Sequence, residues 1–229
     1  MSSKDAYIGT GTTLSSSYYL RTFYQSNRTA GTSSKRHDMK STELTLADSH
    51  ALRKAIRQLG SSDFTETQDT NARNKVLAYI QTYNNMLSSA SVSSDHTLER
   101  NVKQLKNVTS EYASELDKIG ITVNDDGTLT SRETLFKSAD LSKFEKLFSN
   151  NSDYMQRTTA YAKRLVRRSE ALSDTENQKK FNKTATAIND STQTASESNV
   201  TAAAQALSES VDLDTLHNTG IGQNVNVVL

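Results

Sequence analysis

The stretch LERNVKQLKNVTSEYASELDKI, Leu98–Ile119, decides the fold. Leu98, Val102, Leu105, Thr109, Tyr112, Leu116 and Ile119 recur in strict 4-3 alternation over three heptads. That period belongs to a helix whose narrow apolar seam packs against another helix, as in a coiled coil. Asp95 is placed to cap the start, and Gly120 follows the last seam residue, where a left-handed residue ends helices.

Upstream, Val76, Ile80, Tyr83 and Leu87 repeat in a 4-3-4 rhythm, which predicts a helix over 71–89. A short polar link joins it to the next helix, so the two form an antiparallel hairpin. An earlier helix is predicted over 43–59, with Leu52, Ile56 and Leu59 on one face and Gly60 as its stop. Downstream, LFKSADLSKFEKLF gathers Leu135, Phe136, Leu141, Phe144, Leu147 and Phe148, and should close the end of the bundle. A further helix is expected over 151–172 through Tyr154, Thr158, Tyr161 and Leu165.

These elements predict an all-α, coiled-coil-like bundle with one two-stranded turn. The domain reading is a mobile arm over 1–42, a helical domain over 43–188 with the turn at 120–130, and a low-complexity tail over 189–229. The arm is rich in Ser, Thr, Gly and Tyr and the tail in Ser, Thr, Asn and Ala, and both are expected to be disordered in isolation.

Composition narrows the classes. The 229-residue chain has no Cys, Trp or Pro, where average usage would give about eleven prolines. There is no thiol nucleophile, no Cys-ligated zinc and no disulfide framework. The net charge of +1 offers no field to draw nucleic acid or an anionic membrane. The charge is uneven, however. Residues 1–60 carry nine basic and four acidic side chains, whereas 184–229 carry five acidic and no basic ones. No apolar run approaches the ~20 residues of a membrane span, and the N-terminal residues lack the apolar core of a secretory signal.

Between the third helix and the aromatic cluster lies IGITVNDDGTLTSRE, Ile119–Glu133. A calcium loop can be aligned on it with Gly127 at position 6. Thr122, Asn124, Asp126, Thr128, Thr130 and Glu133 then fall at 1, 3, 5, 7, 9 and 12. Position 1, normally a carboxylate, is a threonine. The other reading is a tight turn at Gly127 between two short extended pieces, with TSRE as a capping box that occupies Glu133. In that reading Ile119 and Ile121 point into the core.

The same residues carry a resemblance. Leu116, Ile119, Gly120, Ile121, Asp126, Gly127, Leu129, Leu147 and Phe148, with YIQTYNNMLSS upstream, resemble the C-terminal helical region of the flagellar filament-capping, hook-associated family, over roughly 70–172. The resemblance implies a reduced relative that keeps the helical inner domain. It would be a non-enzymatic structural protein binding protein partners, its own copies or flagellar components, outside the cell. Otherwise a cytoplasmic location is expected. The alternative function is a calcium-responsive module using 122–133.

No catalytic, cofactor or metal residue is singled out. His37, His50, His96 and His217 are scattered. The basic run Lys163, Arg164, Arg167, Arg168 could meet phosphates, but reads more simply as a solvated face or a protein contact. GTGTT, Gly9–Thr13, lacks the lysine and the preceding strand of a phosphate loop.

Overall fold

The computed structural model describes the backbone of residues 13–210 and the side chains of residues 13–184. Two compact units divide the chain, Met1–Thr175 and Glu176–Leu229. The first contains helices α1 (Ser16–Phe23), α2 (Ser41–Gly60), α3 (Asp69–Ser91), α4 (His96–Glu111) and α5 (Ala113–Asp117). Strands β1 (Ile121–Val123) and β2 (Leu129–Ser131) follow, then α6 (Glu133–Ser138) and α7 (Leu141–Phe148). The last helix, α8, is Asp153–Ser210, and its residues up to Thr175 belong to the first unit. Short 3₁₀ turns precede α2 and α3. The fold is all-α with one small antiparallel hairpin, as the periodicity predicts.

Four long segments form the bundle, and their side-chain pairings give each direction. Thr45 of α2 donates to the Ser89 carbonyl of α3, while Lys75 of α3 reaches Ser62 just past α2, so these helices are antiparallel. Tyr83 of α3 lies beside Thr109, and Leu87 and Ala90 share a groove with Glu99 and Val102. Hence α3 and α4 are also antiparallel, as their short link demands. Arg168 reaches Asp95 at the start of α4 and Arg157 reaches Glu111 at its end. Glu170 meets His50, and the Asn150 amide donates to the Gly60 carbonyl. α8 therefore runs opposite to both α4 and α2, giving an up-down-up-down bundle.

The seam residues Leu98, Val102, Leu105, Thr109, Leu116 and Ile119 are buried, with Tyr112 packed at the edge. Val108 is buried too, so the apolar face of α4 is wider than a coiled-coil seam. The helix expected to run to Ile119 instead breaks at Tyr112. The Tyr112 ring lies 5.2 Å from that of Tyr154, and its hydroxyl donates to Asp153.

The 1–42 arm is corrected by the structure over its described residues. Ser15 caps α1 through its side chain, and Tyr19, Leu20, Phe23 and Tyr24 enter the core. Four large side chains at i, i+1, i+4 and i+5 make one helical face. Burying an aromatic or aliphatic side chain of this size contributes about 1.5–3 kcal/mol, which outweighs the polar composition around it. α8 likewise outruns the expected 151–172 helix and takes in 189–210. The tail expectation for 211–229 lies outside the described residues, as does Gly9–Thr12 of GTGTT.

Of the predicted closing cluster, Phe136, Phe144, Leu147 and Phe148 are buried, while Leu135 is exposed. The rings of Phe136, Phe144, Phe148, Tyr79 and Tyr154 follow one another at centroid distances of 5.2–6.4 Å. This aromatic chain ties α6 and α7 to α3 and α8.

Candidate functional site

The hairpin and its seat on α3 contain most of the residues that the sequence singled out. β1 and β2 pair antiparallel with Ile121 opposite Ser131 and Val123 opposite Leu129. Ile119 and Ile121 are fully buried, as expected, and Leu129 nearly so. Gly120 and Gly127 both take positive φ, 77° and 82°, where a side chain would clash with its own backbone.

Inside the turn, the polar side chains bind one another. Asp126 accepts from the Thr128 amide at 2.8 Å and from its hydroxyl at 2.6 Å, and these bonds hold its carboxyl below the usual range. The Asn124 amide donates to the hydroxyls of Thr128 and Thr130. Thr122 faces Thr130 across the ladder. Glu133 turns away to Lys137 at 2.6 Å. Among the described residues no group of three or more His, Asp or Glu side chains is placed to hold a metal ion.

The capping box is corrected. Thr130 is held in β2, so the helix begins later: Arg132 is the N-cap without a side-chain bond, and Glu133 is the first helical residue. Strand pairing at Thr130 outcompeted the local capping motif. Arg132 instead reaches back to the Asp117 carboxylate and carbonyl.

Two α3 side chains fix the hairpin and its following helix. The Asn84 amide donates to the Leu129 carbonyl and accepts from the Leu129 amide, both at 2.8 Å, standing in for a third strand at this edge. Arg73 bonds Asp69 and the carbonyls of Phe136 and Ala139, with its guanidinium 4.9 Å over the Phe144 ring. Asn84→Ala is expected to destabilise the protein by about 1–3 kcal/mol, since it strips both backbone groups of Leu129 of a partner. Urea denaturation of the full chain measures it, and a shift below the error of the midpoint would show the Asn84 contact to be idle.

The remaining candidates separate. His37 pairs with Asp38, His50 with Glu170 and His96 with Glu99, in three places; His217 lies outside the described residues. The basic run on α8 does not act as one patch. Arg168 clamps the Asp95 carboxylate, Arg164 stacks 5.0 Å from the Tyr161 ring, and Lys163 faces α2.

Asp95 caps α4 through the Leu98 amide at 2.7 Å, and with Arg168 beside it its carboxyl falls to about 2. A depressed folded-state pKa stabilises above the unfolded value of 3.8 and loses that contribution as pH falls through about 2. Asp95→Ala should therefore lower stability at neutral pH by about 1 kcal/mol or somewhat more, the worth of an N-cap. The deficit should vanish in acid below pH ~2. Parallel unfolding curves for both chains across that window would contradict the assignment.

Sequence reasoning missed one buried constellation. Asp48 of α2 is fully buried and takes both guanidinium nitrogens of Arg36, at 2.8 and 2.7 Å, and the Tyr24 hydroxyl at 2.6 Å. Asn85 of α3 donates to the same hydroxyl, and Arg36 also bonds the Ala30 carbonyl. Burial, and then the Asp48 charge, push the Tyr24 phenol far up. The signal was present: Asp48 falls on the same helical face as Leu44, Ala51 and Ala55. This clamp holds the N-terminal segment to α2 and α3, and Tyr24 also lines two surface grooves.

The second unit is described by its helix, Glu176–Ser210. Lys180 pairs with Glu176 at 3.1 Å, and Phe181 leaves 73% of its surface exposed. Comparison with known protein families, with curated proteins and with solved structures finds no match for this chain.

Proposed function

We propose that the protein is a non-enzymatic helical assembly protein, similar to the inner helical domain of flagellar axial proteins, that binds protein partners and first its own copies. The observation that carries this reading is the exposed Phe181 on the helix of the second unit. Residues 177–184 are all exposed, and none of them buries an apolar side chain. An isolated helix is marginal in water, and an exposed aromatic on one is a contact waiting for a partner. The resemblance gives separate support. Leu116, Ile119, Ile121, Leu129, Leu147 and Phe148, which carry it, belong to one core.

Sedimentation velocity on the full chain tests the proposal. The weight-average mass should rise with concentration, and Phe181→Asp should suppress the rise without moving the thermal midpoint. A mass that stays monomeric at every concentration, for both chains, would refute self-assembly through this helix.

A further inference from the structure

Five of the twelve arginines have an anionic partner within the chain. Arg36 meets Asp48, Arg73 meets Asp69, Arg132 meets Asp117, Arg157 meets Glu111 and Arg168 meets Asp95. Arg53 and Arg57 are not among them. Arg53 and Arg57, one turn apart on α2, and Lys163 on the facing α8 line a single groove of about 220 Å³. Ile56 and Ala162 form its apolar floor, and Asn150 and Thr159 complete the lining. No carboxylate lines it. Among the described residues, none of the three cations has an ion pair or hydrogen bond within the chain.

Like charges one turn apart repel, and a third cation across the groove adds to the repulsion. The groove ends at a fixed wall. A Cβ on Gly60 would lie 2.1 Å from the Asn150 side-chain oxygen, so the Asn150 side chain is packed against the end of α2. Two helices thus place three exposed cations, a hydroxyl and an amide around one groove.

We propose that this α2–α8 groove binds a phosphate-type oxyanion carrying two or more charges. Arg53 and Arg57 supply forked donors that match tetrahedral oxygens, Lys163 supplies a point charge from the opposite side, and Thr159 a neutral donor. The volume admits one or a few phosphate groups. Occupancy neutralises the repulsion between α2 and α8, so the anion also stabilises the bundle by mass action.

Isothermal titration of the full chain with inorganic pyrophosphate, with thermal unfolding beside it, tests this. One pyrophosphate per chain should bind, more weakly as salt rises to about 0.15 M, and should raise the thermal midpoint. Arg53→Gln/Arg57→Gln should weaken binding by about tenfold or more, with Lys163→Gln, from the other helix, weakening it by a smaller factor. Arg21→Gln/Arg28→Gln removes the same charge elsewhere and should leave the affinity within about twofold. Absence of binding would overturn the site. So would equal loss in the Arg21/Arg28 control, which would mean a diffuse field, or equal displacement by polyglutamate, which would mean a carboxylate-binding protein surface.

Discussion

Replacing Gly120 with valine is expected to cost more than about 4 kcal/mol and to unfold the chain well below its normal midpoint. Two effects add. Gly120 sits at φ 77°, a conformation that a β-branched residue resists. A Cβ there would also fall 2.5 Å from the Phe136 amide nitrogen and 2.9 Å from its Cα. Those are backbone atoms within α6 and cannot swing aside. Gly120 further accepts the Arg132 amide at 2.7 Å, so a shift of either segment breaks the junction between hairpin and helix. Gly127→Ala makes the contrast. Its Cβ would come nearest to the flexible Lys106 chain, so the expected cost is about 1–2 kcal/mol, mostly from φ 82°. Thermal unfolding followed by circular dichroism ranks the two, and equal losses would mean that the close approach at Gly120 does not matter.

Asp48→Ala is the second large effect, about 3–5 kcal/mol, because it strands a charge. Arg36 is only 15% exposed and would keep its guanidinium among buried groups without a counter-ion. The Tyr24 hydroxyl would lose its acceptor as well. Since α1 and the following turn are fastened by this clamp, the variant should release them first, with early proteolysis before Ser41. Replacing both partners, as Arg36→Met with Asp48→Leu, should recover most of the loss, since an apolar pair avoids the stranded charge. If the double variant is as unstable as Asp48→Ala, the charge is not the cause.

The helices with a strong period were legible. The 4-3 rhythms of 76–87 and 98–119 named faces that are buried, and Gly120 and Gly127 marked the two places where the chain turns through positive φ. The N-terminal helix was hidden by its neighbours. Serines and threonines around Tyr19, Leu20, Phe23 and Tyr24 read as an arm, although the spacing of those four residues was helical. The capping box failed for a different reason. TSRE is a local motif, and the pairing of Thr130 with Thr122 is a tertiary constraint that overrode it.

The polar residues that organise the site were least legible. Asn84, Arg73 and Asp48 bind backbone or charge 12–66 residues away in sequence, and no local pattern announces such partners. What a sequence can offer is their anomaly. Asp48 lies among apolar neighbours on a helical face, where an unpaired carboxylate would be costly to bury, and that placement predicts a partner without naming it. The basic run 163–168 showed the converse. Four cations close in sequence were read as one face, but the packing of α8 gives Arg168 to Asp95, Arg164 to Tyr161 and Lys163 to the α2 groove.

That the helix of the second unit carries the assembly surface is tested most directly by amide hydrogen exchange on the full chain at two protein concentrations about 100-fold apart. Amides of 177–184 should exchange quickly at the lower concentration and gain protection at the higher one. Those of Val76–Met86 and Tyr19–Tyr24, inside the bundle, should be slow at both. Exchange across 177–184 that is equally fast at the two concentrations would contradict self-assembly through Phe181.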